Sequence, residues 1–368
     1  MNLIKKLLLI VILVLFTYVL WRLLRKRVEL QREIAKEGFS IPFFGSASEN
    51  ELSNLKNTNT VLIQNSHNNE LPLKEYCIKS SYNTALTGNY INLDMISYVL
   101  SRGCRFIDLE IFYIGQTTID IKNLSTTKYT AQVAYSTDNT FTTINTENSI
   151  LLDQVLTTIV TNAFSSPSPN LNDPLFINLR VKSNNYDVYK AIAASIDNTI
   201  KEKLYTDKSN VAIPVKNSTK LSEIMGKIVI CIDKTIDRSY KSHTSCNDIK
   251  GKCYDLTKFI NMETGSEDLN LLRYSEVMDQ CTIPIEIKND NKSTTVKTMK
   301  YVIPNTKNDN SYNPNINDFI IKYSAQIPAY RFYKNDKQLR IYEDFFDENG
   351  TAFVPLAKAI TYFKDLNN

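Results

Sequence analysis

Two acids placed two residues apart raise the question of chemistry. In "GCRFIDLEIF", residues 103–112, Asp108 and Glu110 sit within an apolar run of Phe106, Ile107, Leu109, Ile111 and Phe112. Residues i and i+2 of a strand share a face, so both carboxylates point the same way. A buried pair of that kind needs a cation, a shared proton or a basic partner. Upstream, "SSYNTALTG", residues 80–88, reads as a strand end running into a polar turn. Between Ser81 and Asn83, where a general base would serve, stands Tyr82, whose ordinary pKa of about 10 is far from a base's working range. The chain has only 2 histidines, His67 and His243. His67 lies in "NSHNNE", ahead of the first strand, and His243 in "KSHTSC", in an irregular stretch; both read as exposed loop histidines.

The elements that must position these residues follow from the pattern around them. From about Leu71 onward short apolar runs alternate with helix-like segments: "EYCIKS", "INLDMISYVLSRG", "CRFIDLEIF", "AQVAYS", "ILLDQVLTTIVTNAF", "PLFINLR", "VYKAIAASIDNTIKEKL" and "GKIVICID". That alternation predicts an α/β fold with a parallel sheet. About 300 residues of it suit a (β/α)8 TIM-type barrel, distorted or split, with its chemistry at the C-terminal strand ends. Those ends carry Ser80 to Asn83, Asp108 to Glu110, Tyr135 and Ser136, Leu179 and Arg180, and Cys231 to Asp233. No Gly-rich phosphate loop follows any strand, and 9 glycines in 368 residues argue the same way. A net charge of +4 is too mild to imply nucleic-acid binding.

The six cysteines form no CxxC pair, which excludes common zinc patterns. Cys77, Cys104 and Cys231 fall in apolar runs and read as core. Cys246 and Cys253 lie in a polar loop, where a disulfide would form in an oxidising compartment. Asn-x-Ser/Thr sequons at Asn123, Asn217, Asn291 and Asn349 would matter only in a secretory lumen, and a chain this rich in Asn produces them by chance.

The first residues read as an uncleaved transmembrane helix. Leu7 to Trp21 carries no charge, and with Lys5, Lys6 and Arg22 snorkelling the apolar span of residues 1–24 reaches about 20 residues. This predicts a single-pass membrane protein whose body, by a small excess of basic residues after the span, faces the cytoplasm. Residues 25–70 read as a charged stalk and polar linker. Residues 71–368 make the barrel, with a first half at 71–233, an insertion at 234–280 and a second half at 281–368. Heavy use of Asn, Lys, Ile and Tyr suits an AT-rich genome such as that of a large DNA virus, which would place the anchor in a host or virion membrane.

At these residues the chain resembles the phosphatidylinositol-specific phospholipase C family, in particular its eukaryotic-type catalytic barrel with X and Y halves. "SSYNTALTG" and "GCRFIDLEIF" follow the family's Ser-Ser-His-Asn-Thr turn and its Gly-Cys-Arg lead into an acidic strand. "VAYSTDNTF", "DPLFINLR" and "GKIVICIDK" are similar to its next strand ends. "SYNPNINDFIIKYSAQIPAYRFY" through "NGTAFVPL" is similar to its second half, so the likeness spans most of residues 71–357. The resemblance implies a phosphoric diester hydrolase in which two histidines do acid–base work, calcium is held by an Asn and acidic residues, and strand-end lysines bind inositol phosphates. Carried over position by position, Asn83, Asp108 and Glu110 fit metal ligands. The histidine positions hold Tyr82 and Ser136. The further acidic ligand is Arg180, and the lysine positions are Cys231 and Asp233.

These departures predict a catalytically inactive member acting as a lipid- or partner-binding or structural module, with a phosphoinositide or another protein as its partner. The alternative is an active hydrolase with a changed mechanism. No cofactor is expected, and calcium only if the residual acidic site still binds it. Arg180 beside the acids would supply the positive charge that calcium would have brought. Tyr82, Tyr135 and Tyr330 are candidates for an aromatic mouth suited to sugar or protein contacts.

Overall fold

A computed structural model describes residues 46–366, apart from 68, 120–124, 138–140, 142, 245, 247–253, 280–284 and 306–310. The expected anchor at 1–24 lies outside the described residues. Among those described, no helix is long and apolar enough to cross a membrane, and the expectation of a single-pass, anchored localisation is corrected accordingly. The chain divides into two units, Met1–Glu49 and Asn50–Asn368. Of the first, only residues 46–49 are described; they open the helix α1 (Ala47–Leu55).

The second unit is built on a six-stranded sheet ordered β4-β3-β2-β5-β6-β7. Its centre is β2 (Phe106–Ile119), β5 (Leu175–Val181) and β6 (Ile228–Asp233). Every residue of β5 and β6 is buried. Such unbroken burial belongs to parallel strands covered on both faces, and β2–β5, β5–β6 and β6–β7 (Met262–Thr264) are parallel. β3 (Ser125–Val133) and β4 (Ile150–Leu151) add antiparallel pairing at the other edge. The helices α2 (Leu93–Ser101), α3 (Leu152–Ala163) and α4 (Asp187–Thr199) each bury one apolar stripe. Asn92 caps α2 by accepting the Asp94 N–H.

Two smaller sheets complete the unit. β8 (Leu269–Arg273), β9 (Met299–Ile303) and β10 (Ile327–Pro328) run parallel in the order β10-β9-β8, and β1 (Tyr76–Ile78) pairs antiparallel with β11 (Phe353–Pro355). Aromatic rings tie the sheets together. Phe106 of β2 stacks on Phe176 of β5 at 5.7 Å and meets Tyr301 of β9 at 4.6 Å, and Phe176 meets Phe353 of β11 at 6.5 Å. Truncating one such buried ring costs about 3–5 kcal/mol.

The α/β expectation holds; of the expected TIM-type barrel, distorted or split, the described residues show three sheets and no closed barrel. The break at β7 and β8 has a physical reason. Only residues 265–268 separate these strands, whereas a return to a parallel neighbour takes a dozen residues or more. Both strands lie inside 234–280, the stretch read as an insertion.

The stretch read as a linker is also packed in its described part. Leu52 and Ile63 are each 3% exposed, Gln64 pairs with Thr351, and Ser66 donates its N–H to Asp173 at 2.8 Å. Gly103, at φ 80°, is the backbone's allowance for this strap, since a Cβ there would lie 2.8 Å from Ile63 Cδ1.

Candidate functional site

β2 and β5 are paired so that Asp108 lies opposite Asn178 and Glu110 opposite Arg180. Their i, i+2 spacing points both pairs to one face. The turn after β1 brings Asn83 to the same place, with Asn83 itself at φ 43°, a left-handed conformation that asparagine tolerates. The Asn83 N–H donates to Asp108 Oδ2 at 3.1 Å.

Arg180 fills the centre. Its Nε donates to Asp108 Oδ1 at 2.9 Å and Oδ2 at 3.1 Å. One terminal nitrogen donates to Glu110 Oε1 at 2.7 Å. The other donates to Asn83 Oδ1 at 2.7 Å and Asp108 Oδ2 at 2.6 Å. The planar fork thus bonds all three positions that fit metal ligands in the sequence. The Tyr82 ring lies over the guanidinium, 4.5 Å from its carbon to the ring centre. Burial works against the charge on Arg180, but Asp108, with Tyr82 and Glu110 behind it, holds its pKa well above the ordinary value.

Residues not singled out from sequence complete the cluster. Lys182 donates to the Ser136 carbonyl at 2.6 Å and pairs with Glu110 Oε2 at 3.0 Å. The Ser136 N–H donates to that same oxygen at 3.0 Å. Burial lowers the Lys182 pKa, with Glu110 opposing. Asn178 donates to Asp108 Oδ1 at 2.9 Å and accepts from Thr264 at 3.0 Å. Lys182 was findable, since it follows Arg180 by two, just past the end of β5. Thr264 carried no local signal, because only the β6–β7 pairing brings it near.

The remaining predicted positions divide. Tyr82 is buried, and burial first of all pushes its pKa up to about 12, further from a base's range. Cys231 is a free, buried thiol opposite Asn178 in the β5–β6 register, its pKa raised by burial. Asp233 gives Oδ1 to the Thr235 N–H and hydroxyl at 2.9 and 2.6 Å, while its buried Oδ2 has no partner. Burial raises the Asp233 pKa. His67 is exposed, as expected. His243 is not: it is half-buried, its Nδ1 is 2.9 Å from Asp237, and its ring stacks on Tyr186 at 3.6 Å. The aromatic mouth is also corrected, because Tyr82, Tyr135 and Tyr330 are 3%, 6% and 0% exposed. Cys77 and Cys104 are free and buried. Cys246 is disulfide-bonded, while Cys253 and Cys281 lie outside the described residues.

As arranged, these oxygens do not fit a calcium ion. Both oxygens of Asp108, both of Glu110 and Oδ1 of Asn83 already bond Arg180, Lys182 or a neighbouring amide. A divalent cation there would meet two buried positive charges. Among the described residues no cluster of three or more His, Cys, Asp or Glu could hold a metal. The crevice beside Asn83, Asp108 and Glu110 has no room for a water-sized group, so no ordinary ligand pocket opens there.

The acids and their basic partner thus sit on two paired parallel strands of an α/β unit, and comparison with known proteins assigns one segment of it. Residues 69–234 match phosphatidylinositol-specific phospholipase C, X domain, and that segment is assigned to the phosphatidylinositol-specific phospholipase C family. Among solved structures it is similar to PLC21 of S. officinalis, at 16% identity and a TM-score of 0.53, covering 83% of this chain and 39% of that one. It is also similar to PLC21 of L. pealei, at 15% identity and a TM-score of 0.52, covering 78% and 38%. The chain thus spans about two fifths of the length of these structures, and at this identity the likeness is one of fold. No curated protein matches the sequence.

Proposed function

We propose that this chain is a phospholipase C-like protein without phosphodiesterase activity, serving as a recognition or structural module. The observation that carries this reading is the Arg180 guanidinium bonded to Asn83, Asp108 and Glu110 together. The internal cation takes the place that calcium would take in an active relative, and no histidine stands at the turn or at Ser136. Tyr82 cannot substitute as base, since its pKa is pushed up to about 12 and its ring covers Arg180. The ligand we assign to the module is a phosphoinositide-bearing surface, with a partner protein as the competing outcome.

We also infer that the three sheets act as one barrel-like frame. The isolated pairings Ser80 with Phe106 and Ser81 with Tyr330 support this, since they lace the chain after β1 to β2 on one side and to the end of β10 on the other.

The test is to incubate the protein with phosphatidylinositol vesicles, with and without calcium, and to measure both released inositol phosphate and co-sedimentation. The expected result is co-sedimentation without turnover. Calcium-dependent turnover above a heat-denatured control, abolished by Asp108→Asn, would overturn the reading. Neither turnover nor sedimentation would leave the site closed and move the ligand to a protein.

A further inference from the structure

Three sequons lie among the described residues, and the fold treats them differently. Asn217 is half-buried; its side-chain amide donates to the Lys297 carbonyl at 3.3 Å and its N–H to Asp268 at 3.2 Å. Asn349 closes α5 (Lys337–Asn349), also half-buried, with its side-chain amide donating to the Phe345 carbonyl at 2.8 Å. The threonine of that sequon, Thr351, has its hydroxyl 2.8 Å from Ser66 and accepts the Phe353 N–H at 3.2 Å. An oligosaccharide on either amide would replace one of its two hydrogens and wedge a bulky hydrated group into packed surface.

Asn291 is placed otherwise. It sits at the tip of a turn closed by the pairing of Ile287 with Thr294 and by the Lys288 N–H to Ser293 carbonyl bond at 2.9 Å. Residues 288–292 are all exposed. Asn291 is at φ 53°, and the Asp290 carboxylate holds the turn by accepting the N–H groups of Lys292 and Ser293, each at 3.1 Å, and the Ser293 hydroxyl at 2.8 Å; unlike the Asn349 site, all of these groups lie at the surface of one exposed turn. A glycan there would extend into solvent and disturb no packed side chain. A second observation bears on the compartment: Cys246 is disulfide-bonded, and such bonds persist where the surroundings are oxidising. That is also where N-glycans are added.

We propose that this protein folds in an oxidising compartment and that Asn291 is its N-glycan acceptor, with Asn217 and Asn349 left bare. The donor is a lipid-diphosphate-linked oligosaccharide. A bond forms between Asn291 Nδ2 and the anomeric carbon, and the bond from that carbon to the diphosphate oxygen breaks. The lipid diphosphate leaves with the electron pair, and the amide loses one proton to the transferase. The inference is independent of whether the Arg180 site is closed.

The test is to express the full chain in eukaryotic cells, recover it under thiol-blocking conditions, and release glycans with peptide-N-glycosidase in heavy-oxygen water. Peptide mass spectrometry then marks each formerly glycosylated Asn. Heavy-oxygen label is expected at Asn291 and absent from Asn217 and Asn349, with Asn291→Gln removing the corresponding gel shift. An unlabelled Asn291, or label at Asn217 or Asn349, would overturn the proposal. The mapping is done on the unaltered chain, so it does not depend on the variant folding.

Discussion

Two buried arginines lie at opposite ends of the same parallel strands and behave in opposite ways. Arg105 immediately precedes β2 and is fully buried. It donates to the Ala163 carbonyl at 2.9 Å, to Ser168 at 2.8 Å, to the Asn170 side chain at 2.9 Å and to the Asn170 carbonyl. All of these partners are neutral, and burial brings its pKa down to about 10. Arg180, at the other end, is as deeply buried, yet its pKa is driven up. Burial is the leading influence on both. Only the carboxylates beside Arg180 reverse it. The difference separates an arginine that brackets loop carbonyls from one that neutralises a site. The second kind is expected where acids are retained in the frame and the ion they would hold is replaced.

The comparison can be broken most forcefully at Arg180. Arg180→Ala leaves Asp108 and Glu110 buried without their main counter-ion, and should destabilise the fold by about 3–5 kcal/mol, read as a lowered urea midpoint. A loss well under that would mean the carboxylates do not depend on Arg180. Arg180→Glu restores an acidic set with Asn83, Asp108 and Glu110. Calcium at a hundred times its dissociation constant should then return about 2.7 kcal/mol to the variant, seen as calcium-dependent melting that the unaltered chain lacks. Arg105→Ala leaves only neutral acceptors unpaired and should cost less, about 1–3 kcal/mol, with no change in calcium response.

Smaller effects sharpen the picture. Burial holds the Asp233 pKa above its ordinary 3.8, so the folded state keeps this proton to higher pH than the unfolded chain does. Stability should therefore fall as pH rises from about 3.8 through the folded pKa. Asp233→Asn should remove that slope, and an unchanged pH profile by thermal melting would show that Asp233 does not titrate there. Tyr82→Phe keeps the ring over Arg180 and removes only a hydroxyl. It should change stability by under about 1 kcal/mol, and a larger loss would give the hydroxyl a role that the geometry does not.

Much of the site was legible in the sequence because it is local. The i, i+2 spacing of Asp108 and Glu110 gave their common face, and Arg180 fell at the strand end that pairs beside them. What was missed depends on pairing between distant segments. Thr264 reaches Asn178 only through β7, and β7 lies in a stretch whose polar residues masked two short strands. The strap of residues 57–66 was read as linker because it holds few apolar residues, and none at a regular period. Its anchorage comes from Ile63 under Gly103 and from Ser66 on Asp173. His243 was read as exposed because its partners, Asp237 and Tyr186, are brought together only when α4 packs beside the chain leaving β6. The split at β7 and β8 turned on the shortness of one connection, which apolar patterning does not reveal.

The most direct test of the central claim is a thermal melt of the unaltered protein with millimolar calcium and with a chelator. If Arg180 occupies the cup, the two melting temperatures coincide. A rise with calcium that Asp108→Asn abolishes would mean the ion displaces the guanidinium, and would contradict the account.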